Sequence, residues 1–200
     1  MSPVQRTGLR SSRRPLRPAP PHPIETYGLI GNNRTALLVS PSGSIDWASF
    51  PRFDSPPTFA ALLDRQRGGY CSLTLSSPGP RVRNEYLPGT NVLVSYLSSR
   101  TGEVAIEDFC PEVESDRVLM SEVHRQIRCL RGRVAAELVF APRFDYGRTV
   151  PEMVETAHGV LARSPSGSIA LSFLPGAGPN SAAASTASDS PSTGASSDRS

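Results

Sequence analysis

The sequence predicts a mainly β chain: an antiparallel β-sandwich with one short helix and disordered termini. Three observations carry that expectation. Residues 70–76, 92–97 and 104–109 alternate, or run β-branched and aromatic, and each is closed by Gly, Pro or Ser pairs. Only 59–64, Phe-Ala-Ala-Leu-Leu-Asp, reads as a helix, with Thr58 as its N-cap and Gly68-Gly69 beyond its end. Both ends of the chain lack residues able to anchor a core.

Taken in order, residues 1–23 hold five arginines, six prolines and no acid, so this stretch is expected to be an extended, solvated leader. His22, inside it, is given no ligand role. Order is expected to begin near Ile24 with a glycine-punctuated segment, Tyr27 to Asn33. Residues 35–40 and 44–50 flank Pro41-Ser42-Gly43 and predict a hairpin. After the helix and the three alternating strands, 123–130 and 134–140 are expected to form a longer hairpin about Arg131-Gly132. Residues 159–163 and 168–173 predict another about Pro165-Ser166-Gly167. Eight to ten strands with one helix indicate a sandwich. Residues 175–200 contain only Pro, Gly, Ala, Asn, Ser, Thr, Asp and one Arg, which predicts a flexible tail. The organisation expected is therefore 1–23 leader, 24–174 folded domain and 175–200 tail.

Two short strings recur. Ser40-Pro41-Ser42-Gly43-Ser44-Ile45 returns at Ser164 to Ile169, and Pro51-Arg52-Phe53-Asp54 returns at Pro142 to Asp145. Their offsets differ, so the first reads as a reused hairpin turn and the second as coincidence or a similar strand exit, not as a duplicated domain.

The net charge of +3 is concentrated in the leader; from Ile24 onward 16 arginines face 18 acids, and all 21 basic residues of the chain are arginine. A nucleic-acid partner is therefore not expected, nor a membrane, since no apolar run approaches the ~18–20 residues of a span. The leader also lacks a secretory apolar core, which makes the cytoplasm the expected compartment. Cys71, Cys110 and Cys129 have no metal-ligand spacing and read as buried free thiols. No cofactor and no metal site are expected. His124 reads as a sheet histidine, and the sequon at Asn33 as unused.

The stretch 43–56 concentrates the chemistry, with the only tryptophan, two aspartates, an arginine and two phenylalanines. Inverting glycosidases need two carboxyls about 6.5–9.5 Å apart. Asp46 with Asp54, or either with Glu107 or Asp108, are the pairs to weigh. The competing expectation is that these carboxylates pair with arginines such as Arg52. Trp47 is a candidate for stacking on a sugar, with Arg52 and Asp54 binding hydroxyls; core packing is its alternative. Phosphate loops and serine nucleophile elbows are absent.

Ile24-Glu25-Thr26-Tyr27-Gly28-Leu29-Ile30-Gly31-Asn32, Gly43 to Trp47 and Pro51-Arg52-Phe53-Asp54-Ser55-Pro56 together resemble the amino-terminal domain of family 15 glycoside hydrolases, the bacterial and archaeal glucoamylases and trehalases. Tyr86 to Leu93, Asp108 to Pro111, Leu130-Arg131-Gly132 and Pro142 to Arg148 extend the likeness in order. The resemblance implies a large β-sandwich preceding an (α/α)6 barrel that bears two catalytic glutamates. The 26 residues after Leu174 are too few for that barrel. No catalytic residue is therefore assigned, and the chain alone is expected to be inactive. The role expected of Trp47, Arg52 and Asp54 is to bind substrate or to face the barrel. The partners implied are an α-glucoside, trehalose or a malto-oligosaccharide, and a catalytic barrel supplied in trans; a free-standing carbohydrate-binding module is the alternative.

Overall fold

A computed structural model describes residues 22–77, 79–111, 121–173 and 184–185. After a single 3-10 turn, Ile24–Thr26, the strands are β1 (Gly28–Gly31), β2 (Ala36–Val39), β3 (Ile45–Ser49), β4 (Pro57–Phe59), β5 (Tyr70–Leu75), β6 (Arg81–Tyr86) and β7 (Leu93–Ser98). They continue with β8 (Gly102–Phe109), β9 (His124–Gly132), β10 (Ala136–Ala141), β11 (Glu152–Thr156), β12 (Gly159–Ser164), β13 (Gly167–Ser172) and β14 (Ala184–Ser185). The leader except 22–23, and the tail except 184–185, lie outside the described residues.

The strands make three sheets. One runs β1-β2-β3-β5-β10-β14 with β4 also on β3, a second runs β6-β7-β8-β9, and a third runs β11-β12-β13. All pairings are antiparallel except β10 with β14. The first two sheets close on one core. Ile30, Leu37, Val39, Ile45, Leu73 and Phe140 from one meet Leu93, Leu97, Val104 and Ile106 from the other, while Ala162 joins from the third. Burying side chains of this size contributes ~1.5–3 kcal/mol each against the entropy of ordering the chain. The expected sandwich is thus the architecture observed.

The expected helix at 59–64 is not formed. Thr58 and Phe59 belong to β4, and Phe59 is buried opposite Ala48. Ala60 N–H then donates to Gly68 carbonyl at 2.6 Å and Ala61 N–H to Gly69 carbonyl at 3.1 Å, folding the segment back as a loop. Six residues do not offset the cost of helix nucleation once the first of them is drawn into a sheet.

The hairpin expected at 123–140 is also corrected. β9 pairs with β8, whereas β10 pairs with β5 in the other sheet. Burial explains the parting. β9 alternates exposed and half-buried residues, as suits an outer strand, while Leu138 to Ala141 of β10 are buried on both faces, as suits an inner one. The 40–45 and 164–169 strings do form like turns, with Ser40 and Ser42 hydroxyls 2.8 Å apart and Ser164 and Ser166 hydroxyls 3.0 Å apart.

Candidate functional site

The bend in β3 organises the candidate site. A register shift between Leu38 and Val39 leaves Asp46 as the extra residue, so Ile45 and Ala48 point into the core while Trp47 lies opposite Leu38. Leu38 in turn lies opposite Leu29. Leu29, Leu38 and Trp47 therefore make one cross-strand row on the outer face, with Leu29 56% exposed and the other two half-buried. Trp47 is half-buried and is not among the residues of the central core cluster.

Asp46 is almost wholly enclosed, its side chain only 2% exposed. Its Oδ1 accepts from Ser44 Oγ at 2.6 Å, and its Oδ2 from Tyr27 Oη at 2.9 Å and Arg65 Nη2 at 3.1 Å. Its carbonyl accepts from Leu62 N–H at 3.0 Å, so one residue ties the start of the fold and the 60–68 loop to β3. Burial, followed by the Asp46 charge and hydrogen bond, pushes the Tyr27 phenol up to about 12. Tyr27 and Arg65 were not singled out from the sequence. The signal that existed was the general rule that a buried carboxylate recruits a guanidinium.

Beyond β3 the chain enters the loop 50–56 through a cis Phe50–Pro51 bond. Arg52 grips Asp54 with Nε on Oδ1 at 2.9 Å and Nη2 on Oδ2 at 3.2 Å. Both are exposed, and the hydrogen bond from Arg52 holds the Asp54 carboxyl below its ordinary value. Phe53, between them, is 61% exposed, and its N–H is anchored on Arg34 carbonyl at 2.6 Å. The structure thus brings Arg52 and Asp54 together; among the described residues no hydrogen bond joins either to Trp47.

The other carboxylates weighed above are likewise occupied. Glu107 pairs with Arg128 on the surface, and Asp108 pairs with Arg125 inside. With Asp46 on Arg65 and Asp54 on Arg52, all four sit on arginines. His124 Nε2 lies 3.0 Å from Glu122 Oε2 and its ring tilts against Phe109. Cys71 and Cys110 are buried free thiols as expected, but Cys129 is half-exposed. Among the described residues no group of three or more His, Cys, Asp or Glu could hold a metal, and no helix is long and apolar enough to cross a membrane.

The described fold is thus an antiparallel sandwich with an outer apolar row, and the four carboxylates weighed from the sequence are each paired with an arginine. The family described as trehalase-like, N-terminal, matches residues 11–180, and the chain belongs to it. The trehalase of Thermoplasma volcanium is 34% identical over 152 residues, covering 74% of this chain and 24% of that protein. The trehalase of Mycobacterium tuberculosis is 32% identical over 154 residues, 69% of this chain and 22% of that one. Trehalase 1 of Sulfolobus acidocaldarius is 33% identical over 151 residues, 76% of this chain and 25% of that one. The chain thus spans about a quarter of the length of these relatives. No solved structure matches it.

Proposed function

We propose that the chain is the non-catalytic N-terminal sandwich of a glycoside hydrolase of the family 15 type, serving α-glucoside metabolism in the cytoplasm. Its role is to seat the catalytic barrel, and it does not hydrolyse sugar by itself. The observation that carries this reading is the outer row Leu29–Leu38–Trp47, three apolar side chains aligned across three strands on the face that the core does not use. The relatives named trehalase support the substrate class. Inactivity is supported by the pairing of all four weighed carboxylates with arginines, which leaves none of them unengaged to face a glycosidic bond.

The test mixes the purified chain with the Thermoplasma volcanium trehalase truncated to begin after the matched region. Association that Trp47→Ala weakens, together with no glucose release from trehalose or maltose by the chain alone, is the expected result. Glucose release by the chain alone would refute the reading. A second reading, a free-standing sugar-binding module, is favoured by the half-buried Trp47, which the chain follows after three residues with an exposed polar loop. Quenching of Trp47 fluorescence by trehalose, without any association, would favour it instead.

A further inference from the structure

The outer strands of the three sheets are not alike. β1 has only four residues, and its Leu29 backbone is capped on both groups by Tyr86, whose Oη accepts from Leu29 N–H at 2.7 Å and donates to Leu29 carbonyl at 2.9 Å. β6 exposes Arg81, Arg83 and Glu85; β9 exposes His124, Arg128 and Arg131; β11 exposes Glu152 and Glu155. Charge and capping of this kind keep an unpaired edge from accepting another strand. β13, Gly-Ser-Ile-Ala-Leu-Ser, carries no charge and no proline.

The direction of its free groups follows from the ladder. Phe173 N–H donates to His158 carbonyl at 2.8 Å, and the antiparallel register pairs Leu171 with Val160 and Ile169 with Ala162. Alternation then turns the N–H and carbonyl groups of 167, 169 and 171 toward β12, and those of Ser168, Ala170 and Ser172 away from it. On the core side, Ile169, Leu171 and Phe173 pack against the core yet stay only half-buried, so among the described residues this margin is incompletely covered.

We propose that the β13 edge is an interface between two copies of this chain, joined antiparallel about a two-fold axis at Ala170. That register sets Ala170 opposite Ala170 and Ser168 opposite Ser172 of the other copy, each pair exchanging both backbone hydrogen bonds. It sets Ile169 against Leu171 of the other copy, completing the half-buried margin of each. No charge meets a like charge, and a self-matching edge satisfies the demand of an isologous contact that one patch serve both sides.

The test measures the mass of the full chain by light scattering over a concentration series. Wild type is expected to reach a dimer. Ala170→Pro removes an outward N–H without touching the β12 ladder, and is expected to be monomeric. Ser168 and Ser172 are exposed, so paired charges there test the register without threatening the fold. Ser168→Glu with Ser172→Glu sets like charges opposite each other across the two-fold, and should dissociate about tenfold more readily than Ser168→Glu with Ser172→Lys, which sets opposite charges together; the carboxylate introduced at position 168 faces Arg163 of β12 in both. A monomeric wild type, a dimer indifferent to Ala170→Pro, or two charge variants that dissociate alike would each overturn the proposal. None of these results bears on association with a catalytic barrel.

Discussion

Asp108 and Arg125 stand opposite each other in register on β8 and β9, and the guanidinium holds both carboxylate oxygens, Nε to Oδ1 at 2.7 Å and Nη2 to Oδ2 at 3.0 Å. The remaining Nη1 reaches Cys71 carbonyl on β5 at 3.3 Å, so a single side chain bridges the two sheets. Burial opposes the Arg125 charge, but the surrounding charges and hydrogen bond, with Asp108 foremost, together outweigh it and the guanidinium is held above its ordinary value. Arg125→Met strands a buried carboxylate and is expected to cost about 3–5 kcal/mol by denaturant titration. Adding Asp108→Leu should recover much of that loss. A single variant as stable as wild type would contradict this account.

Arg52 and Asp54 make the same two-toothed contact on the surface, and there the outcome differs. Water screens an exposed pair, so Arg52→Ala is expected to leave the melting temperature unchanged within error. A pronounced fall on heating would mean that the pair supports the fold rather than presenting itself to a partner.

Gly132 and Gly89 have nearly equal φ, 72° and 73°, but a Cβ at Gly132 would run into Thr101 carbonyl whereas at Gly89 nothing lies within 4 Å. Both alanine variants carry the left-handed penalty of ~1–2 kcal/mol. Gly132→Ala should cost more, because the backbone must also shift where the chain passes between sheets. Equal losses in chemical denaturation would argue against a tight crossing.

Alkaline pH should destabilise the fold. Tyr27 keeps its proton up to about 12 and, under burial and then the Asp108 charge, so does Cys110, against ordinary values of 10.0 and 9.0. Between those values the unfolded chain releases protons that the folded chain retains, so stability present below pH 9 is lost progressively toward pH 12. Tyr27→Phe should remove the portion above pH 10. An unchanged alkaline slope in that variant would show that the phenol is not responsible.

Thiol chemistry should separate the cysteines. Burial raises the pKa of Cys71 and Cys110, while Cys129 is half-exposed near the end of β9. An aromatic disulfide reagent at mildly alkaline pH should therefore modify Cys129 quickly in the native state, and all three only after unfolding. Fast reaction in a Cys129→Ser variant would show that a buried thiol is reached.

Much of the architecture was legible in the sequence because antiparallel strands with one wet face leave a period-two trace. β5, β7, β8 and the β2–β3 and β12–β13 hairpins were readable on that basis. β6, Arg-Val-Arg-Asn-Glu-Tyr, and β11, Glu-Met-Val-Glu-Thr, were not, because outer strands carry charges that imitate a loop. The 59–64 segment misled because local helical preference yields to the burial of Phe59, and the 123–140 segment because adjacent strands usually pair. For the site, the pairing of Asp54 with Arg52 follows from two residues of separation. The pairing of Asp46 with Arg65 depends on how a loop returns to β3, and no local pattern encodes that.

The four-stranded meander β6–β9 lies wholly within the connection between β5 and β10, which pair with each other along six residues. Each of its strands bonds its immediate successor, so it can assemble from near neighbours as soon as they are synthesised. β5, in contrast, must wait with one side unmatched until the meander is finished and β10 has emerged. Ring closure across that long excursion is therefore expected to set the pace of folding. During synthesis the hazard is greatest in that interval, when the apolar strand Tyr70–Leu75 has been made and its mate has not.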